Sequence, residues 1–215
     1  MDFSNPIFWR QGIFLQPQHF QYEDRFLSTT YEKLFSLSRT QAHGVLSFEL
    51  SKDRLNAGYL SSGNLEAVMP GGTWVDITKN ARLPDRDIKH LLNTNGVHLL
   101  ALGLPKLIPG VPSVANEQRD GRYEVTDYPE NLPDLYEDTP PVEIERLWLR
   151  CRYLIGDEIE SSSNFTILPL GKLIVESQTI TLDPEYSPPC MRVGAYKGLE
   201  NLIQKISDSL EVSFA

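Results

Sequence analysis

The residues that could start a metal site are His19 and Glu23, which stand four apart in the sequence. This spacing places two side chains on one face of a helix, as metal ligands require. No second His or Cys stands at ligand spacing from this pair, and the other histidines are scattered. We therefore expect His19 to make ordinary hydrogen bonds, and we predict no metal site.

Motifs of catalysis and nucleotide binding are incomplete. Gly171-Lys172 lacks the preceding glycine of a phosphate-binding loop, and Gly71-Gly72 is typical of a turn. The three serines at 161–163 lack the flanking glycines of a nucleophile elbow. The sequence therefore predicts no catalytic residue, no cofactor and no enzymatic activity. An enzyme with an unrecognised site remains an open alternative.

The composition excludes several classes of partner. The formal net charge of −9 disfavours contact with nucleic-acid phosphates and with anionic membranes. No signal peptide opens the chain, and no apolar run is long enough to cross a bilayer. We therefore predict a cytoplasmic protein with no nucleic-acid partner and no direct membrane insertion. Cys151 and Cys190 could form one bridge, but a cytoplasmic location favours reduced thiols.

The first element that positions the aromatic N-terminus is a predicted amphipathic helix over about 17–37. Pro17 suits a first helical turn because its missing N–H would be unpaired there anyway. One face of the helix is apolar, formed by Phe20, Leu27, Tyr31 and Leu34. We expect this face to be buried against the rest of the protein.

The body of the chain alternates apolar and polar residues, which predicts strands. The predicted strand regions are 46–50, two strands in 65–77 across Pro70-Gly71-Gly72, 96–108, 142–155, and two strands in 164–182 separated by Gly171. No helices alternate with these strands. The fold class is therefore predicted to be mainly β, an antiparallel β-sandwich.

Two segments interrupt this pattern. Residues 117–143 are acidic and rich in proline, which predicts a long surface loop or, alternatively, an interaction arm. Residues 196–215 form a second predicted helix with a narrow apolar stripe of Leu199, Leu202, Ile206 and Leu210. Such a stripe needs a partner helix. We therefore expect the chain to be a fragment cut within a helical bundle that begins here.

Two runs of residues resemble the TssK family, the baseplate adaptors of the bacterial type VI secretion system. The first run has Trp9, Gly12 and the sequence PQHFQ at 17–21. The second is LDPEYSPPC at 182–190, which in this family precedes the helical middle domain. The resemblance covers essentially the whole chain, and the acidic segment at 127–141 departs from it.

The resemblance implies a domain plan. Residues 1–190 would form a β-sandwich shoulder domain with an N-terminal helix, similar to phage receptor-binding proteins. Residues 191–215 would start a truncated helical neck. It also implies a homotrimer in the full-length protein at the inner-membrane-attached baseplate. This domain would dock onto the TssF–TssG wedge, and the missing C-terminal region would link to the membrane-complex proteins TssL and TssM.

The interface residues predicted for this domain are Phe8, Trp9, Phe14 and Gln16. They precede the helix on a segment whose apolar residues show no clear helix or strand periodicity. Aromatic residues are enriched at interface hot spots, although Trp9 and Phe14 could equally belong to the core. The alternative function is a phage-tail-like receptor-binding or carbohydrate-recognition module, which would show exposed aromatics over a cleft. An adaptor would instead show a flat or ridged surface without a cleft.

Overall fold

The computed structural model describes residues 3–38, 42–126, 128–134, 136 and 138–214. The α-helices of these residues are α1 (Pro17–Ser38), α2 (Lys52–Asn56), α3 (Asp157–Ser161) and α4 (Lys197–Phe214). Short 3₁₀ turns cover Lys89–Asn93 and Val193–Ala195. Helix α1 therefore matches the predicted N-terminal helix, and α4 matches the predicted C-terminal one.

The strands carry most of the body of the protein. They are β1 (Gly44–Leu50), β2 (Tyr59–Leu60), β3 (Ser62–Val68), β4 (Trp74–Asp76), β5 (Ala81–Arg82), β6 (Arg86–Asp87), β7 (Gly96–Pro105), β8 (Tyr123–Val125), β9 (Glu130–Leu132), β10 (Val142–Ile144), β11 (Leu147–Arg150), β12 (Arg152–Ile155), β13 (Phe165–Glu176) and β14 (Thr179–Leu182). The larger sheets run in the orders β1-β3-β4, β5-β11-β8 and β12-β7-β13-β14. Pairing is antiparallel except between β5 and β11, which confirms the predicted mainly β, antiparallel fold.

The core is built on the long antiparallel pair of β7 and β13. Their inward leucines are closed to solvent, as the continuous apolar run in β7 predicted: Leu100, Leu102, Leu104, Leu168, Leu170 and Leu173. Residues from the other sheets join the same apolar cluster, including Val45, Leu65, Val75 and Leu149. One shared core therefore holds the sheets together.

Glycines mark two features in the sheets. Gly71 and Gly72 both have positive φ, 93° and 89°, and form the predicted turn between β3 and β4. The prediction that Gly171 separates two strands is wrong. Gly171 lies inside β13, at a register irregularity after Pro169, and the chain reverses at Ser177-Gln178 instead. A glycine within a strand often marks such an irregularity.

The strand predicted over 142–155 is divided among three shorter strands. β10 pairs with β9 in a separate hairpin, β11 joins β5 and β8, and β12 joins β7. The inward set was correctly predicted for Leu149, Cys151 and Tyr153, whereas Leu147 is exposed. The predicted long loop at 117–143 is also partly regular, because it contains β8, β9 and the first residues of β10. The segment that includes β9 and β10, residues 128–145, is here called the acidic hairpin.

The predicted burial of the apolar face of α1 is wrong. Phe20, Leu27, Tyr31 and Leu34 are all exposed, and Phe20 keeps 54% of its surface open. The side of α1 that meets the sandwich carries Glu32, whose Cα lies 3.7 Å from where a Cβ on Gly72 would stand. Helical periodicity shows that a face is apolar, but it does not show which neighbour covers that face.

The segment before α4 is tied to β1 by its backbone. Val45 N–H donates to the Pro189 carbonyl over 2.8 Å, and Met191 N–H donates to the Val45 carbonyl over 2.9 Å. The stripe on α4 is largely open, with Leu202, Ile206 and Leu210 exposed. Within the described part of the chain, no helix is both long and apolar enough to cross a membrane.

Candidate protein interface

The N-terminal segment lies along the first turns of α1. The Phe3 ring stands 5.3 Å from the Tyr22 ring, and the Arg25 guanidinium lies 5.6 Å from the Phe3 ring centre. The Trp9 ring stands 6.2 Å from His19 and 6.4 Å from Phe20. These contacts hold the segment against the helix and bring Trp9 beside its exposed apolar face.

The chain turns into α1 through local hydrogen bonds. Gly12 adopts a positive φ of 82°, and Ile13 N–H donates to the Arg10 carbonyl over 3.3 Å. Gln16 N–H donates to Nδ1 of His19 over 3.1 Å, and His19 N–H donates to the Gln16 carbonyl over 3.0 Å. His19 thus stabilises the start of the helix, which is the ordinary structural role predicted for it.

The predicted interface residues are exposed. Phe8 and Phe14 leave 81% and 79% of their surfaces open, and Trp9 leaves 45%. The Gln16 side chain is also exposed. Trp9 contacts the open face of α1 at Phe20, and the exposed apolar residues of the segment and the helix are here called the aromatic ridge: Phe8, Trp9, Phe14, Leu15, Phe20, Leu27, Tyr31, Leu34 and Leu37. Exposed apolar surface concentrated in this way marks interaction sites in soluble proteins.

Sequence reasoning missed the helical part of this ridge. The periodicity of Phe20, Leu27, Tyr31 and Leu34 was visible, but it was attributed to the core. A proline and three polar residues stand between Leu15 and Phe20, so the sequence did not indicate that the two segments form one surface. The signal that could have found it is the number of large apolar residues before and within a single helix.

A groove of about 780 Å³ lies next to the ridge, between α1 and the sandwich. Its walls are formed by Arg25, Ser28, Tyr31, Glu32, Leu34, Phe35, Val68, Gly72, Thr73, Trp74, Arg122 and Tyr123. The expectation that an adaptor would lack a cleft is therefore wrong, because this chain has a ridge and a groove. The two features adjoin each other, and Tyr31 and Leu34 belong to both.

One charged residue of the groove, Arg122, is buried. Arg122 is only 7% exposed and donates to the Pro105 carbonyl and to Thr73 Oγ1, each over 2.8 Å. Burial raises the pKa of Glu32, while the positive charges of Arg25 and Arg122 lower it to a smaller extent. Trp74 donates from its indole N–H to Glu66 over 3.1 Å, and Lys79 lies 5.4 Å from the ring centre.

The candidate metal and nucleophilic residues do not converge. No group of three His, Cys, Asp or Glu in the described ranges is placed to hold a metal ion. The Glu23 Oε2 atom is buried without a hydrogen-bond partner in the described structure. Cys151 and Cys190 are free, and burial raises the pKa of the Cys151 thiol to about 12. A thiol with so high a pKa is a poor nucleophile at neutral pH.

The family model described as "Bacterial Type VI secretion, VC_A0110, EvfL, ImpJ, VasE" matches residues 19–214. The chain belongs to this family. A curated relative, the type VI secretion system baseplate component TssK1 of Pseudomonas aeruginosa, is 24% identical over 213 residues. That match covers 96% of this chain but 46% of the relative, so the chain spans about half the length of the curated relative.

Solved structures of the family share the fold. A TssK-TssF-TssG baseplate subcomplex contains a chain that matches with a TM-score of 0.85 at 19% identity, covering 99% of this chain and 70% of that chain. A crystal structure of TssK matches with a TM-score of 0.84 at 21% identity, covering 97% of this chain and 47% of that chain. The resemblance read from the two sequence runs is thereby confirmed.

Proposed function

We propose that this chain is the part of a non-enzymatic baseplate adaptor that docks onto a TssF–TssG wedge, and that the aromatic ridge makes the contact. The observation that carries the proposal is the exposure of Phe8, Trp9 and Phe14 beside the open face of α1. Membership of a type VI secretion family and the likeness to a chain of a TssK-TssF-TssG subcomplex support it.

The energetics favour the ridge over the acidic hairpin as the main contact. Burying a large aromatic side chain at the centre of an interface can contribute about 2 kcal/mol or more, whereas exposed ion pairs contribute under about 1 kcal/mol. The ridge offers several such side chains, and the contacts of Trp9 with His19 and Phe20 hold one of them in place. A contact made by the ridge therefore survives moderate salt.

The rest of the domain plan belongs to the same proposal. Residues 1–190 form the shoulder domain and residues 191–215 start the neck, where the exposed stripe of α4 packs in a homotrimer. A region beyond the neck links to TssL and TssM, and the assembly works in the cytoplasm at the inner-membrane-attached baseplate. The shoulder domain in this plan has the β-sandwich architecture of phage receptor-binding proteins.

A second candidate function is carbohydrate recognition, because the groove presents Trp74 and Tyr31 over a cleft. Sugar rings stack on open aromatic faces, but the Lys79 ammonium lies 5.4 Å from the centre of the Trp74 ring. A buried arginine also suits an anion better than a neutral sugar. We therefore rank this function second.

The test is co-purification of the chain with TssF–TssG at low and high salt. We expect the double variant Trp9→Ala/Phe14→Ala to lose most of the bound wedge at both salt concentrations. Ile108→Ala is the matched control, because Ile108 is an exposed apolar residue outside the ridge. A second variant, Asp138→Asn/Glu143→Gln/Glu145→Gln, neutralises exposed acids of the hairpin and should retain the wedge.

The opposite pattern would assign the contact to the hairpin. In that case the aromatic double variant would bind fully, the neutralised variant would not, and binding would fall as salt shortens the Debye length from about 10 Å at 0.1 M to about 3 Å at 1 M.

A further inference from the structure

Arg122 is a buried cation whose hydrogen-bond partners are neutral. It is 7% exposed, and its two terminal nitrogens donate to the Pro105 carbonyl and to Thr73 Oγ1. Its Nε is buried and has no hydrogen-bond partner in the described structure. No carboxylate of the described residues lies within ion-pair distance of it. Glu32 interacts with its charge at longer range, and the guanidinium lies 5.9 Å from the Tyr123 ring centre. One buried donor still lacks a partner, which is costly.

The groove beside Arg122 carries a net positive charge. Arg25 and Arg122 contribute two positive charges and Glu32 one negative charge, which leaves one positive charge among the wall residues. Lys79, near the Trp74 ring, pairs with Asp76 over 2.9 Å and so adds no free charge, and Glu66, which accepts the indole N–H, lies outside the walls. The walls themselves keep one positive charge. This local charge is opposite in sign to the net charge of −9 of the whole chain.

The remaining walls of the groove are apolar and aromatic. Tyr31 and Phe35 come from α1, and Val68, Trp74 and Tyr123 come from the sandwich. A ligand that fills the groove must therefore offer a negative group to the arginines and an apolar group to the rings. An acidic side chain next to an aromatic or aliphatic one on an extended peptide has both.

We propose that the groove between α1 and the sandwich binds a partner peptide segment in which an acidic residue adjoins an aromatic or aliphatic residue. The carboxylate lies toward Arg122 and Arg25, and the apolar side chain lies against Trp74 and Tyr31. Charge complementarity selects this occupant over a basic or a neutral segment. The inference goes beyond docking through the aromatic ridge, because Arg25, Arg122 and Trp74 lie outside the ridge.

The experiment uses the small aromatic carboxylate 4-hydroxyphenylacetate as the probe and follows the chain by NMR. The signals to record are the indole N–H of Trp74 and the Nε–H of Arg122, which report the two ends of the groove. A fragment of about ten heavy atoms is expected to bind in the millimolar range. We expect saturable shifts of both signals, while the N–H signals of Trp9 and Trp148 stay in place.

Matched ligands and variants separate charge recognition from simple hydrophobic binding. Tyramine has the same ring with an amine in place of the carboxylate, and it should give no saturable shift. We expect Arg25→Gln to weaken carboxylate binding about threefold or more, as for a partly exposed charge. Arg54→Gln is the control, because Arg54 is an exposed arginine that pairs with Asp85 outside the groove.

Arg122→Lys tests the buried charge, after a thermal melt has shown that the variant folds. If Arg122→Lys does not fold, the Arg25→Gln variant and the comparison of 4-hydroxyphenylacetate with tyramine still test the proposal. The proposal is overturned if 4-hydroxyphenylacetate causes no saturable shift at about 10 mM, a concentration above the expected dissociation constant. It is also overturned if tyramine binds equally well, or if Arg25→Gln leaves carboxylate binding unchanged.

Discussion

Asp76 shows how a single buried carboxylate organises a turn in this protein. Its carboxylate accepts from Thr78 N–H over 2.8 Å and from Thr78 Oγ1 over 2.6 Å, and it pairs with Lys79 over 2.9 Å. Burial opposes ionisation of Asp76, but the hydrogen bonds from Thr78 and Lys79 outweigh burial and lower its pKa. The ionised form is therefore the one that stabilises the fold.

We predict that Asp76→Asn lowers the free energy of unfolding by about 1–3 kcal/mol at pH 7, since a charged acceptor of several hydrogen bonds is lost. Because the folded-state pKa is lowered, the contribution is fully present above the unfolded pKa of about 4 and is lost as the pH falls through the folded-state value. Thermal melts at pH 7 and pH 3 should therefore show a smaller difference between the two proteins at pH 3.

The control for this prediction is Asp138→Asn, at an exposed position of the acidic hairpin. It should leave the melting temperature nearly unchanged at both pH values. An equal loss of stability for Asp76→Asn at pH 7 and pH 3 would show that shape, and not charge, is what the turn needs.

At the scale of elements, helix α1 stabilises the fold less than its apolar face suggests. Phe20 leaves 54% of its surface open, whereas Leu102 in β7 is closed to solvent. We predict that Phe20→Ala changes the free energy of unfolding by less than about 1 kcal/mol, because Phe20 buries little apolar surface in the folded protein. The matched core variant Leu102→Ala should cost about 2–5 kcal/mol.

Denaturant unfolding of the two variants measures this contrast. A loss for Phe20→Ala as large as that for Leu102→Ala would place the helical face in the core. The exposed ridge would then need another explanation.

The junction between β1 and the 187–191 segment depends on a close backbone approach at Gly44. A Cβ there would stand 2.7 Å from the Pro189 carbonyl oxygen, which is backbone and cannot rotate away. We predict that Gly44→Ala costs about 2 kcal/mol or more, since the Val45 and Met191 hydrogen bonds would have to shift. Thermal melts check this, with Gly63→Ala as the control because a Cβ at Gly63 would meet no atom within 4 Å beyond its chain neighbours. Equal melting temperatures for the two variants would contradict the prediction.

At the scale of the whole molecule, α4 presents an apolar stripe without a partner helix in the described structure. Leu202, Ile206 and Leu210 are each about half exposed, as expected of a coiled-coil seam. We predict that this chain associates weakly, and that a version extended through the neck forms a firm trimer. Light scattering of both at micromolar concentration measures the difference.

The control for the trimer is Leu202→Asp/Ile206→Asp in the extended version, which places charges in the seam and should give monomers. Glu200→Gln, on the polar side of α4, should leave the trimer intact. An extended version that stays monomeric would refute the neck assignment. The apolar stripe of α4 would then be expected to bind a different partner.

Local pattern was sufficient to predict much of the secondary structure. The continuous apolar run in β7, the turn at Gly71-Gly72 and the extent of α1 all follow from residues close in sequence. The role of Gly171 could not be predicted, because a strand break and an irregularity within a strand have the same local sequence. Whether β13 continues past it is decided by its pairing with β7.

The sequence by itself determined the mainly β architecture, the two terminal helices and the family, because hydrophobic period and short motifs are local properties. Only the tertiary structure decided that the apolar face of α1 is open and that the groove holds a buried arginine. Arg122 is buried by contacts with Pro105 and Thr73, which are 17 and 49 residues away along the chain. Burial is set by such distant neighbours, and a candidate interface is the surface that those neighbours leave uncovered.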